Sequence, residues 1–296
     1  MQLKEIILDG SLRELTPRGT PMFPMEMYLN DMDRFITGSV PWHWHEDVEL
    51  ILVVGGEIAL ELGGSRYVIE SGSGVFVNSN RLHAIRRGSL PECVWISIVF
   101  NTEIISGAPK SVFENKYVRP VTGDSCAGVV LLGRDVDWQQ DILDMMADAY
   151  DRYTAGEEGF EMMLRNELSS IWLDIYAHVA PENGGKYVQQ SRRVKDIITF
   201  IQENYMNDIS LDDIAEGSGM GVRTCCRVLK QNIDMTPFEY LTEYRVKVAA
   251  DILSTTKMSV TEVCYAVGFN STSYFAKVFR EQTGSSPSAY RKGTAV

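Results

Sequence analysis

The sequence is poor in the features that mark several whole classes of protein. Of its 296 residues only five are cysteine, at Cys93, Cys126, Cys225, Cys226 and Cys264, with no CxxC spacing. That excludes a disulfide framework and a zinc-finger set, and the expectation is reduced thiols packed as small apolar groups. No apolar run approaches the ~18–20 residues of a membrane span; residues 48–54, the longest, are only strand-sized. The first ten residues carry Lys4, Glu5 and Asp9 and no apolar core, so no secretory signal and no membrane partner are expected, and the expected compartment is the cytoplasm. Basic residues are scarce, with Lys+Arg 28 against Asp+Glu 40, a formal net charge of −12. Over the whole chain that balance repels phosphates.

The remaining composition, 45% hydrophobic and 23% charged, is that of a globular chain long enough for about two domains. Residues 48–54, 57–62, 66–70, 74–78, 82–86 and 93–100 are short Val-, Ile- and aromatic-rich runs, which predicts strands. Gly55-Gly56 and Gly63-Gly64 are expected to close hairpins, because glycine accepts positive φ. Close spacing of short strands predicts a sandwich or small barrel.

The period then changes. Over 137–153 the apolar residues Trp138, Ile142, Met145, Met146 and Ala149 follow helical spacing. Over 160–179 Phe160, Met163, Leu164, Leu168, Ile171, Trp172, Ile175, Tyr176 and Val179 form a wide apolar stripe, read either as core or as a dimer interface. Pro181 and Gly184-Gly185 mark a linker, after which the chain reads as helical to its end. The expected divisions are a β domain over 1–134, a helical pair over 135–180 serving dimerisation, a linker over 181–190 and a helical domain over 191–296.

The last hundred residues contain a duplication. Arg227-Val-Leu-Lys230 matches Lys277-Val-Phe-Arg280, Thr236-Pro237 matches Ser286-Pro287, and Tyr240 matches Tyr290, all at an offset of 50. Upstream the offset is 49, pairing Ser210 and Asp213 with Ser259 and Glu262, and Gly219-Met220 with Gly268-Phe269. Ser-x-x-Asp/Glu caps a helix start by satisfying its orphan N–H groups. Gly219 and Gly268 stand where the chain must turn sharply, and a basic amphipathic helix follows each. Helix, glycine turn and basic helix make a helix-turn-helix, here twice.

Residues 192–296 resemble the DNA-binding domain of the AraC/XylS family of transcription regulators. The likeness is carried above all by Val263 to Arg291, through Gly268-Phe-Asn-Ser-Thr-Ser-Tyr-Phe275, Gly284 and Pro287. It implies a long helix over 238–253, about 24 Å at ~1.5 Å per residue, joining two modules that enter successive major-groove segments. It also implies base-contacting positions at Arg223, Cys226 and Arg227 in the first recognition helix and at Thr272, Ser273, Ala276 and Lys277 in the second. Arg223 or Arg227 suits guanine O6/N7, and Lys277 suits guanine or a phosphate. Lys230 and Arg280 are expected as phosphate contacts or solvated charges. Cys225 and Cys226 depart from the family, which has a larger apolar and a polar residue there.

Histidine is the scarcest informative residue, with four in the chain and three in the β region. Alternation along a strand puts His43 and His45 on one face, and Glu49 shares their parity provided no bulge intervenes. With His83 these make a set able to hold Fe, Mn, Ni or Zn. The spacing Gly38, His43, His45, Glu49, Gly55, then Gly72 and His83, resembles the cupin fold, although Asn78-Ser-Asn-Arg-Leu82 replaces its usual proline turn. The same residues serve three readings: a metal site, polar groups of an effector pocket, or structural hydrogen bonding. The effector pocket is the expected use, with His43, His45, Glu49, His83 and Trp95 as its residues, no cofactor, and little bound metal. Trp42, Trp44, Tyr67, Phe76 and Trp95 suit a sugar or another small polar ligand, or equally an aromatic core.

The expected fold is thus two domains, β then α: a cupin-like β-barrel followed by two helices, then an all-α tandem helix-turn-helix. The expected function is an effector-responsive, non-enzymatic regulator that binds double-stranded promoter DNA as a homodimer, with RNA polymerase a further partner. A cupin metalloenzyme with a helical appendage is the competing reading. Charge by domain removes the objection to DNA: residues 1–185 carry 14 basic and 28 acidic side chains, whereas 186–296 carry 14 and 12.

Overall fold

Eight strands build the first half of the chain: β1 (Met25–Asp31), β2 (Val40–His43), β3 (Val48–Leu62), β4 (Ser65–Glu70), β5 (Gly74–Val77), β6 (His83–Arg87), β7 (Cys93–Phe100) and β8 (Val129–Leu132). The computed structural model describes residues 3, 5–35, 38–123, 126–179 and 185–294, without the side chains of 185–192 and 292–294. The chain divides into two units, Met1–Ser191 and Arg192–Val296. Among the described residues no helix is long and apolar enough to cross a membrane.

In the first unit β3 is one continuous strand, not the two expected. Residues 48–56 pair with β7 and residues 49–52 with β5, whereas 57–62 pair with β4 and 58–62 with β6. Gly55-Gly56 is therefore not a turn. A bulge lies between Val53 and Gly55, and Gly56 has φ +63. A Cβ on Gly56 would stand 1.9 Å from the Glu92 carbonyl oxygen, so only glycine lets β3 pass this close to the neighbouring chain. Gly63-Gly64 does close the β3–β4 hairpin, with Leu62 opposite Ser65.

The bulge also switches which side chains face the barrel interior. Before it Ile51 and Val53 point inward, while Val48, Leu50 and Leu52 point outward; after it Ile58, Leu60 and Leu62 point inward. The outer set packs under α3 (Asp137–Ala155) and α4 (Phe160–His178), which follow the short α1 (Glu103–Ser106) and α2 (Arg119–Thr122). Leu164, Leu168, Ile171, Trp172 and Ile175 of α4 are buried there. Trp172 meets Phe76 and Phe100 edge-on at 6.0 and 6.5 Å, and its Nε1 donates to the Tyr117 carbonyl at 3.0 Å. Most of the wide stripe is thus consumed within its own unit. β1, β2, β8, α1 and α2 were not predicted.

α5 (Gly185–Asn204) begins before the division at 191 and continues into the second unit, which also holds α6 (Leu211–Gly217), α7 (Val222–Ile233), α8 (Pro237–Thr255), α9 (Val260–Ala266), α10 (Thr272–Thr283) and α11 (Pro287–Thr294). Of the expected linker over 181–190, residues 181–184 lie outside the described residues. From Gly185 the chain is helical, since the next breaker comes only beyond Asn204, so the linker does not extend to 190. Ser210 and Ser259 start α6 and α9 with full capping boxes to Asp213 and Glu262, and Thr236 caps α8 in the same way with Glu239. Gly219 and Gly268 have φ +68 and +86, the positive values that the sharp turns require. The second module closes over Val263, Cys264, Phe269, Phe275, Val278 and Phe279.

Candidate functional site

Two regions gather the residues singled out by the sequence. The first is the pair of helices α7 and α10. Within them Cys225, Val228 and Leu229 are buried in one copy, and Phe275, Val278 and Phe279 in the other. The opposite faces therefore match: Arg223, Arg227 and Lys230 are exposed in line on α7, and Ser273, Lys277 and Arg280 on α10. Cys226, Thr272 and Ala276 are half-buried at their edges. Arg223, Arg227 and Arg280 make no ion pair among the described residues, whereas Lys230 Nζ lies 2.9 Å from Asp234 Oδ1 and donates to the Asp234 carbonyl at 2.8 Å. Lys277 approaches Glu281 only at 3.9 Å. α8, which joins the two modules, is about 28 Å long at ~1.5 Å per residue. Burial pushes the Cys225 thiol up to about 11, with Cys226 adding to the shift, so Cys225 packs as an unionised apolar group.

The second region lies inside the barrel. His43 ends β2, His45 follows in the loop, Glu49 is the second residue of β3 and His83 opens β6, with His43 and His83 in register across the β2–β6 pair. The expected strand alternation does not carry the set, because β2 ends at His43 and His45 lies in the loop before β3; the loop, and not a shared strand, brings His45 and Glu49 beside His43. All four are buried, and one ligand atom from each lies within 4.8 Å of the others. Each histidine places Nδ1 on a backbone carbonyl: His43 on Pro41 at 2.9 Å, His45 on Asp47 at 2.9 Å and His83 on Arg81 at 2.8 Å. A carbonyl only accepts, so Nδ1 carries a proton in each ring. Nε2 of His45 and His83 stand 3.5 and 3.3 Å from Glu49 Oε2, and neither has a hydrogen-bond partner.

Burial, reinforced by His83 and His45, holds His43 well below the ordinary imidazole range and so keeps it neutral. Burial opposes the charge on Glu49, but His45 and His83 beside it hold its carboxyl well below the usual carboxylate range. Beyond His43, Glu14 Oε2 lies 3.8 Å from its Nε2. Glu14 and Asp47 are both bound by the guanidinium of Arg18, the latter at 2.7 Å. Three converging imidazole nitrogens and a carboxylate are of the type that can hold a first-row divalent ion, and Nε2 of His45 and His83 are buried polar atoms that such an ion would satisfy.

A cavity of about 30 Å³ adjoins this set, lined among others by Glu14, Arg18, Asn30, His43, Glu49 and Trp95. Of the five aromatics named from sequence only Trp95 lines it. Phe76 faces the helices, and Trp44 turns to the N-terminal segment, donating from Nε1 to the Ser11 carbonyl at 2.9 Å. Glu14, Arg18 and Asn30 escaped the sequence reading because no periodic element carries the first two, and Asn30 sits in an unpredicted strand.

A helix-turn-helix domain model matches residues 214–293, and a cupin domain model matches residues 37–99. The uncharacterized HTH-type transcriptional regulator YdeC of Bacillus subtilis (strain 168) is 26% identical over 291 residues, covering 98% of this chain and 99% of its own. The uncharacterized HTH-type transcriptional regulator YdiP of Escherichia coli (strain K12) is 23% identical over 262 residues, 84% of this chain and 80% of its own. The HTH-type transcriptional activator RhaS of Escherichia coli (strain SE11) is 30% identical over 101 residues, 34% of this chain and 36% of its own. Each of these relatives is named as a transcription regulator or activator. With a helix-turn-helix domain following a cupin domain, and likeness over its whole length to an HTH-type transcriptional regulator, this chain resembles the AraC family of transcription regulators.

Proposed function

We propose that this regulator binds promoter DNA sequence-specifically through α7 and α10, and that a ligand held in the barrel modulates the binding. One observation supports the reading above all: the two helices bury the same positions and expose matching ones, basic in both at Arg227 and Lys230 against Lys277 and Arg280, with Arg223 standing opposite Ser273. Arg223 and Arg227, free of ion pairs among the described residues, suit guanine edges; Lys277 suits guanine or phosphate, and Arg280 a phosphate. Thr272, Ser273, Cys226 and Ala276 supply the small neighbouring contacts. Lys230, tied to Asp234, is a weaker candidate. RNA polymerase is the machinery on which such a promoter-bound protein acts.

The ligand site is the set His43, His45, Glu49 and His83 with the adjoining cavity. Trp95 belongs to its wall. Its ring stacks on Phe35 at 5.8 Å and its Nε1 donates to Ser97 Oγ at 3.1 Å, so it shapes the space and leaves no free donor. The space holds two or three waters at ~10–15 Å³ each, too little for the sugar that the aromatics suggested.

The protein acts as a homodimer. Met162 and Leu173 remain exposed on one outer face of α4 after its inner face is buried, which supports a contact between helices of two copies.

Fluorescence anisotropy of the full chain on DNA flanking its own gene tests the central claim. Saturable binding that resists a large excess of unrelated duplex is the expected result. Equal affinity for both duplexes would overturn it.

A further inference from the structure

We propose that Arg245 is a positioning residue that locks the two helix-turn-helix modules at one spacing, so that the chain accepts two DNA segments only at a set separation. This inference rests on the reading that α7 and α10 both contact DNA.

Arg245 lies near the middle of α8, the helix that joins the modules, and three parts of the second unit converge on it. Its Nε donates to the Tyr205 carbonyl and its Nη2 to the Asn207 carbonyl, both at 2.8 Å. Those carbonyls belong to the segment between α5 and α6, which leads into the first module. The guanidinium carbon also stands 5.6 Å from the centre of the Phe269 ring, in the glycine turn of the second module. Phe269 is buried and packs on Phe275 at 5.2 Å and on Tyr274 at 6.0 Å, both in the first turn of α10. One side chain therefore touches the entry to the first module, the joining helix and the seat of α10.

The duplication is broken at this point. Gly219 has open space around it, whereas a Cβ on Gly268 would meet the Tyr205 carbonyl oxygen at 2.4 Å and Arg245 Nη2 at 2.9 Å. The residue that matches Phe269 is Met220, which offers no ring face to a guanidinium. The arrangement at Gly268 is thus no part of the repeated pattern; it joins the turn of one module to the approach of the other. Arg245 makes no ion pair among the described residues, so its charge is directed at the two carbonyls and the ring. A planar fork bridges two carbonyls where a lysine ammonium would not.

Lengths decide what this clamp does. One added base pair moves the second DNA segment by ~3.4 Å and turns it by roughly 35°. Joined through α8 alone, the modules could follow. A helix of about 28 Å, curved to the ~60–100 Å radius common in proteins, carries its end sideways by roughly 4–6 Å. With Arg245 in place they cannot, because such a shift exceeds the whole 2.8 Å length of either hydrogen bond.

The test uses the full chain. A footprint on DNA flanking its own gene locates adjacent protected segments about one helical turn apart. Fluorescence anisotropy then compares that duplex with one carrying a single base pair inserted between the segments. The wild type should lose about tenfold or more in affinity to the insertion, as when base contacts are mismatched. In Arg245→Gln and in Phe269→Leu the loss should shrink to about threefold or less, with weaker binding of the uninterrupted duplex. The salt slope should stay unchanged, since Arg245 holds carbonyls and no phosphate. Arg245→Lys should restore the insertion penalty only in part.

A wild type that tolerates the insertion overturns the inference, and so do folded variants that keep the full penalty. A salt slope lowered by about one with the penalty intact makes Arg245 a phosphate contact instead. Loss of cooperative melting of the second unit in both variants gives Arg245 a part in folding alone, which equally ends the claim. A wild-type footprint without paired segments overturns the reading of α7 and α10 as paired DNA-contacting helices, a separate failure.

Discussion

The carbonyl oxygen of Tyr205 lies 2.4 Å from the point where a Cβ on Gly268 would stand. The same oxygen accepts from Arg245 Nε at 2.8 Å, so it is held in place and cannot retreat. Gly268 also has φ +86, whereas its counterpart Gly219, with φ +68, has open space around it. Gly219→Ala should cost only the backbone strain, about 1–2 kcal/mol. Gly268→Ala should cost clearly more, because strain and a backbone clash add. Urea unfolding of the two variants, followed by far-UV circular dichroism, checks the order.

The two faces of α4 are expected to respond differently. Trp172→Ala removes a buried ring wedged against Phe76 and Phe100 and should destabilise the first unit by about 3–5 kcal/mol. Leu173→Glu, one residue on and exposed, should leave unfolding within about 0.5 kcal/mol of wild type. Under the dimer proposal it should instead shift sedimentation from dimer towards monomer. A wild-type chain sedimenting as a monomer at tens of micromolar would end that proposal.

On DNA, Arg227→Ala should lose about 1–3 kcal/mol and relax preference at one base pair. Arg280→Ala should weaken all sequences alike and lower the salt slope by about one. Lys230→Ala should do less than either, since its ammonium is already engaged by Asp234. Titrations at several salt concentrations separate the three.

The caps of the second unit give its stability a pH dependence. Asp213, Glu239 and Glu262 are held below the usual carboxylate range by the hydrogen bonds of Ser210, Thr236 and Ser259. A depressed folded value means the contribution is fully present above the unfolded carboxylate pKa of ~4. It is lost as pH falls through the folded value. The difference in melting temperature between wild type and Glu262→Gln should therefore be larger at pH 7 than at pH 2.5. Ser259→Ala, which removes the other half of the box, should cost about 1 kcal/mol at neutral pH.

Local chemistry explains what could be read in advance. Ser259, Glu262, Gly268 and Lys277 each act within a few residues of their neighbours, so the helix-turn-helix modules were legible in the sequence, as were His43, His45, Glu49 and His83. The barrel was legible as a class but not in its connections. Gly55-Gly56 carries the signal of a hairpin, and only the Glu92 backbone passing against it makes the pair a bulge within β3. The stripe on α4 was ambiguous because its partners, Phe76 and Phe100, lie far off in sequence. Glu14 and Arg18 were missed for the same reason: their places beside His43 and Asp47 depend on tertiary packing of an irregular segment.

β3 hydrogen-bonds to β4, β5, β6 and β7, so four partners are secured by one segment of chain. Such a segment has no private opening motion: to release its amides, both sheets must come apart. In hydrogen–deuterium exchange β3 would therefore be among the last amides of its unit to label. Glu49 sits at the start of that slow segment, so the carboxylate of the cluster keeps its position through the local fluctuations that let small species in and out of the barrel.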